Sequence, residues 1–313
     1  MCIIRQLLTA REGLNMQKSI SIQPKKKIRW AVYMFVIPAF LFHFTFIMAP
    51  SLSSVYFSFF NWNGIGKPVY IGLDNYREMM ADIEFTTALT NNLKWIAIFI
   101  TIPVFLGLLS AYWVSKLKKT QMAIRTIYFM PYIIASSTAG RIWCSYFNPY
   151  FGFNNAFKAM GLTALGSTLW LGNKNIVLYS VAFVDVWHFW GFIMVMFLGA
   201  LQQVDPTLYE SAMVEGANKR QLFTKITIPC IMPTFVFIII SIIMWSFLTF
   251  DYIWVMTGGG PGSASEVLST LIYKNAYSRY RTGYASAISV IQSILAILTY
   301  SIMQIVKKRG VEV

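Results

Sequence analysis

The chain has 313 residues, of which 57% are hydrophobic, 17% aromatic and only 12% charged, and its mean hydropathy is +0.56. That is more apolar surface than a soluble core of this length buries, so the composition places the chain in a bilayer and excludes a soluble globular domain. A formal net charge of +14 would suit a nucleic-acid binder, but the positions of Lys and Arg assign the excess to membrane topology instead.

The chain opens with a basic tail, 1–29, holding Arg5, Arg11, Lys18, Lys25, Lys26, Lys27 and Arg29. Its short apolar stretch does not read as a cleavable signal, and Met16 reads as an alternative first residue. The first of six apolar runs long enough to cross a bilayer lies near 30–50, and the others near 95–115, 126–147, 176–200, 234–256 and 284–306. Between the first two, 61–91 reads as an ordered external cap with a short polar helix around Asp74, Glu78, Asp82 and Glu84. The segment 148–175 reads as turns about an interfacial helix. After the fifth run, Thr257-Gly258-Gly259-Gly260-Pro261-Gly262 predicts a tight external elbow.

Seventeen of the 26 Lys and Arg fall on one side: the N-terminal tail, the second connection (Lys116, Lys118, Lys119, Arg125), the fourth (Lys219, Arg220, Lys225) and the end of the chain (Lys307, Lys308, Arg309). By the positive-inside rule both termini are cytoplasmic. The reading is an all-α membrane protein with six transmembrane helices in one domain, 30–306, between cytoplasmic tails 1–29 and 307–313. No internal repeat is evident. Cys2, Cys144 and Cys230 are too few and too scattered for a disulfide framework or zinc site and read as packing residues.

One long polar segment, within 205–233, interrupts the apolar pattern on the cytoplasmic side. Asp205-Pro206 starts a helix, Gly216 breaks it, Asn218 caps a second helix over 219–226, and Pro229 and Pro233 are expected to stop that helix before the fifth span. Lys219, Arg220 and Lys225 beside Leu222, Phe223 and Ile226 make a mixed surface suited to a partner's groove, or to lipid headgroups.

The segment resembles the Glu-Ala-Ala motif in the membrane subunits of bacterial ATP-binding-cassette importers. Glu210, Ser211, Ala212, Gly216, Ile226, Ile228 and Pro229 keep its spacings, with Ser211 and Ile228 as mild departures. The likeness runs from about residue 30 onward and is similar to the sugar-importer branch in Gly72-Leu73-Asp74-Asn75-Tyr76, Asn91-Asn92-Leu93, Pro131, Trp143, Phe147-Asn148-Pro149, the 257–261 elbow, Leu271-Ile272-Tyr273 and Gly283-Tyr284-Ala285. The resemblance implies a type I importer permease in a bacterial plasma membrane. Its implied partners are a second homologous permease, two cytoplasmic ATPases gripping the segment (Glu210, Ser211, Ala212, Gly216, Ala217, Lys219, Arg220, Leu222, Phe223, Ile226, Pro229), and a solute-binding protein docking on 61–91 and 257–281. The chain itself has no phosphate loop, the nearest pattern being Gly64-Ile65-Gly66-Lys67, so ATP would be bound by the partner ATPases and no cofactor or metal is expected.

An ionisable residue within a span is costly, which singles out Asp185. With His188, Phe189 and Phe192 it forms a stripe on one face of the fourth helix, offering a carboxylate, an imidazole and aromatic faces that suit a sugar. In the family that Asp185 stripe lines the cavity, and counting back from the elbow adds Trp245 and Ser246, with Thr249 one turn on. Ser136, Ser137 and Arg141 are the third-helix candidates. Against this, Asp185 could pair with Arg141 to lock two helices, Trp187 and Trp190 read as packing aromatics, and Asp251 reads as a cap or pairing group for the elbow. Other classes are an ion-coupled transporter using Asp185 and His188, which would need an inverted repeat with broken helices, a permease for a non-sugar solute, and a scaffold whose loop binds a regulator.

Overall fold

The computed structural model describes residues 30–117 and 119–310; the basic tail with Cys2 and Met16, Lys118, and residues 311–313 lie outside the described residues. The described chain is mostly helical and divides into two units, Met1–Ser51 and Leu52–Val313. In the first, α1 (Trp30–His43) passes through a π-turn at Phe44–Met48 into α2 (Ala49–Phe57). Its aromatic rings pair along the helix surface, Phe40 stacked on Phe44 and Phe42 tilted against Phe46, and are exposed.

The division falls within α2, so the second unit begins with the rest of that helix and continues into a two-stranded antiparallel ribbon, β1 (Phe60–Asn61) and β2 (Val69–Tyr70), and a short helix α3 (Asp74–Ala81). Asp82 then caps α4 (Ile83–Ser115), accepting from the Glu84 amide at 2.8 Å. There follow α5 (Gln121–Ile133), α6 (Ser136–Tyr146), α7 (Phe153–Ala159), α8 (Thr163–Gly166), α9 (Val177–Gln202), α10 (Pro206–Val214), α11 (Lys219–Leu222), α12 (Ile228–Phe247), α13 (Asp251–Thr257), α14 (Leu268–Tyr273) and α15 (Thr282–Gly310). Helix α9 is the axis of the unit. It packs on α4 and α5, and Val181, Val184, Ile193, Met194 and Phe197 on it are buried.

Five helices among the described residues are long and apolar enough to cross a bilayer: Tyr33–Phe57, Ile83–Ser115, Val177–Gln202, Lys219–Phe247 and Thr282–Ile302. The expected third span, 126–147, is split between α5 and α6 by extended backbone at Ile134 and Ala135, just after Pro131. The expected fifth span is broken as well, between Phe247 and Asp251. Broken helices, which the sequence did not reveal, are thus present twice. Pro229 and Pro233 do not stop a helix: Lys219 to Phe247 runs on as one 29-residue helix through a π-turn at Phe223–Thr227. The wider turn absorbs the N–H that Pro229 lacks, and the Thr227 hydroxyl donates to the Leu222 carbonyl at 3.2 Å.

Irregular backbone inside a bilayer needs its polar groups satisfied by protein. At the first break the Ile134 carbonyl bonds the His188 Nε2 at 2.8 Å. At the second, Asn92 Nδ2 donates to the Ser246 carbonyl at 2.8 Å, and Gln292 Nε2 and Ser269 Oγ donate to the Phe247 carbonyl at 2.7 and 3.1 Å. Asn92, at 0% exposure, also accepts from the Leu268 amide at 2.9 Å. Replacing Asn92 by alanine orphans a carbonyl and an amide together. The expected cost is about 3 kcal/mol, read as a lower thermal midpoint of the detergent-solubilised protein; an unchanged midpoint would show that water replaces the side chain.

Candidate functional site

The two breaks meet beside α9 and with it line a cavity of about 290 Å³, just below the roughly 300–1,000 Å³ range of ligand sites. Seven of the sequence candidates line it: Asp185, His188 and Phe189 from α9, Ser136 from the start of α6, and Trp245, Ser246 and Thr249 from the end of α12 and the break. Phe192 sits one shell back, its ring stacked on Tyr132 at 4.8 Å and near Phe189 and Trp245 at 5.7 and 6.1 Å. Phe189 and Trp245 meet edge to face at 5.4 Å. Ser137 and Arg141 are exposed and do not line the cavity. No ion pair joins Asp185 to Arg141; Asp185 has no hydrogen-bond or ion-pair partner among the described residues. Trp187 packs on Trp143 and Trp190 on Tyr128, as packing aromatics should.

Sequence reasoning missed Trp95, Phe99, Tyr132, Phe250 and Tyr252, which complete the wall. It also misplaced Asp251, whose Oδ2 accepts from the Ser136 hydroxyl at 2.6 Å across the cavity rather than serving the elbow. The rule that drew attention to Asp185, an acid inside an apolar run, applied equally to Asp251. The others gave no signal, because an aromatic on an apolar helix is usually core. What the cavity offers chemically is a lining of aromatic rings with a few hydroxyl- and carboxylate-bearing side chains among them.

A second feature lies at the far end of α12. Asp205 caps α10 by accepting from the Thr207 amide at 2.9 Å, and that hydrogen bond holds its carboxyl below the usual range. Gly216 turns the chain with φ +84°, a left-handed conformation that favours glycine. Asn218 and Gln221 then form a reciprocal capping box on α11. Glu210, Ser211, Gly216, Lys219, Arg220 and Pro229 are exposed, and Ala212 and Ala217 are half-buried. Leu222, Phe223 and Ile226 turn inward: the Phe223 ring meets Tyr112 of α4 edge on at 4.9 Å, and Ile226 packs against the core. They anchor the segment. The apolar groups left outside are Leu208, Met213 and Val214 on α10, Val214 being 90% exposed.

At the opposite end of α4 the two connecting segments are bound together. Arg279 forms a fork on Glu84 at 2.6 and 3.0 Å, Arg281 pairs with Glu78 at 2.5 Å, and the Tyr284 hydroxyl donates to Asp82 at 2.6 Å. Buried Glu266 pairs with Lys274, while Asn91 Nδ2 donates to the carbonyls of Ala264 and Glu266 at 3.0 and 2.8 Å. The elbow is therefore part of one platform with the start of α4.

A cavity at paired helix breaks, on the same helix as an exposed hinged segment, defines a membrane permease. Residues 104–310 match the model of the family described as the binding-protein-dependent transport system inner membrane component, and the chain belongs to that family. It is similar to the "Probable ABC transporter permease protein YurN" of Bacillus subtilis, at 36% identity over 87% of this chain and 94% of that protein. It is also similar to the "Probable starch degradation products transport system permease protein AmyD" of Thermoanaerobacterium thermosulfurigenes, at 28% identity over 90% and 95% of the two chains. Its fold matches a chain of a bacterial alginate ABC transporter crystallised with an alginate pentasaccharide-bound periplasmic protein, with TM-score 0.79, 23% identity and 90% and 94% coverage. The chain is thus a multi-pass inner-membrane ABC permease, a non-catalytic subunit, and the ion-coupled and scaffold readings fall away.

Proposed function

We propose that the chain is one of two permease subunits of an importer for a sugar or small oligosaccharide, with α5 and α6 together making the third of six spans and both termini in the cytoplasm. The observation that supports this best is the cavity itself, lined by the rings of Phe189, Trp245 and Tyr132 together with Asp185, Ser136 and Thr249. Ring stacking with edge hydrogen bonds is the chemistry sugars call for. The sugar-transport names of similar permeases and the alginate importer agree with it.

In this reading a pair of ATPases grips α10 and α11, and their closure on ATP tilts the segment about Gly216. Because α11 continues into α12, the motion reaches Trp245 and Ser246 along a single rigid helix of about 40 Å, at about 1.5 Å per residue. The platform joining 61–91 to 257–281 is the docking face for the solute-binding protein. Proteoliposomes holding the chain with its partner permease, ATPases and binding protein test the cavity: Trp245→Ala and Phe189→Ala are each expected to lower ATP-driven sugar uptake about tenfold. Uptake unchanged in both variants would remove the cavity from the transport path.

A further inference from the structure

Asp185 and Asp251 line this cavity, and no Lys or Arg among the described residues does. Asp185 comes from the middle of α9 and Asp251 from the first residue of α13, and they lie within electrostatic range of each other. Among the described residues Asp251 has one hydrogen bond, from Ser136, and Asp185 has none. Tyr252, 4% exposed, also lines the cavity; its buried hydroxyl lies within electrostatic range of both carboxylates and has no hydrogen-bond partner among the described residues. An orphaned buried hydroxyl beside two acids is a costly arrangement in an empty site.

From this juxtaposition of Asp185, Asp251 and the unpartnered Tyr252 hydroxyl inside an aromatic wall, we infer that the cargo is a carbohydrate carrying a protonated amine. The inference rests on the carbohydrate-importer reading above and adds the charge of the cargo. Closure around a bound sugar removes water; two facing acids with no counterion then oppose an anionic cargo, and with a neutral one they accept hydroxyl hydrogen bonds but are not both held ionised. An ammonium group relieves both carboxylates at once. The wall is compatible with the same choice, since Phe189, Trp245 and Tyr132 line the space and an aromatic face that a ligand reaches attracts a cation. The Tyr252 hydroxyl is left to donate to a ring or hydroxyl oxygen of the same sugar.

Glucosamine, glucose and glucuronate share one ring and differ in charge, so they separate the possibilities. They are titrated by saturation-transfer NMR against the purified full chain in detergent micelles, at a pH where the amine is protonated. Glucosamine is expected to bind at least about tenfold more tightly than glucose, with glucuronate weakest. In Asp185→Asn and Asp251→Asn variants that elute as the parent does on gel filtration, the preference for glucosamine is expected to collapse toward that for glucose. Equal or tighter binding of glucose or glucuronate to the parent chain, or a preference that survives in both variants, overturns the assignment of charge while leaving the sugar reading in place. Failure of all three to bind overturns the sugar reading along with it.

Discussion

Gly216→Pro is expected to abolish ATP-driven uptake while leaving the permease inserted and assembled. Proline fixes φ near −65°, and Gly216 sits at +84°. The substitution also deletes the amide that donates to the Met213 carbonyl at 3.1 Å and disturbs the Ala217 amide bond to Ala212 at 2.9 Å, the two bonds that close the end of α10. A penalty of about 3 kcal/mol at that turn corresponds to about a hundredfold loss of productive coupling. Gly216→Ala meets nothing within 4 Å and suffers only the left-handed backbone, about 1–2 kcal/mol, so it should retain partial uptake. The measurement is uptake of labelled sugar into the reconstituted vesicles, with co-purification of the partner subunits as the control. Full uptake by the proline variant would mean that the turn between α10 and α11 transmits nothing.

Gly191→Leu is expected to be the most damaging change in the spans. A Cβ on Gly191 would fall 1.9 Å from the Tyr128 carbonyl oxygen and 2.7 Å from its carbon. Both are backbone atoms of α5, so no side-chain rotation relieves the clash and the helices must part. Parting them separates Tyr132 from His188 and Phe192, ring contacts at 5.4 and 4.8 Å, and withdraws one wall of the cavity. A loss of about 4 kcal/mol is expected, visible as a collapse of the thermal midpoint in detergent and as loss of cargo binding together. An unshifted midpoint would show that α5 and α9 do not approach so closely.

The cavity explains why some of its residues were legible and others were not. Asp185 and His188 stand out in an apolar run because a polar side chain there needs a reason, and Trp245 and Thr249 could be placed by counting from a recognisable motif. His188 then proved to serve two ends, lining the space and satisfying the Ile134 carbonyl left by the first break. Tyr132, Trp95 and Phe99 are indistinguishable in sequence from the core aromatics around them. Only the tertiary arrangement decides which ring faces a void and which faces a neighbour.

The chain's own sequence was enough to place it in a membrane, to locate its apolar runs, with ends close for 176–200 but up to about 15 residues off for the second and fifth, and to isolate the polar segment with its cap at Asp205, its turn at Gly216 and its second cap at Asn218. Those features depend on composition, on local backbone preference and on side-chain bonds to amides two or three residues away. What the tertiary structure alone decided was that the spans bearing Ser136 and Asp251 are broken, and that Pro229 and Pro233 leave the helix from Lys219 to Phe247 unbroken. A break survives in a bilayer only where distant groups satisfy its carbonyls, and those groups, His188, Asn92, Ser269 and Gln292, lie between about 20 and 150 residues away in sequence.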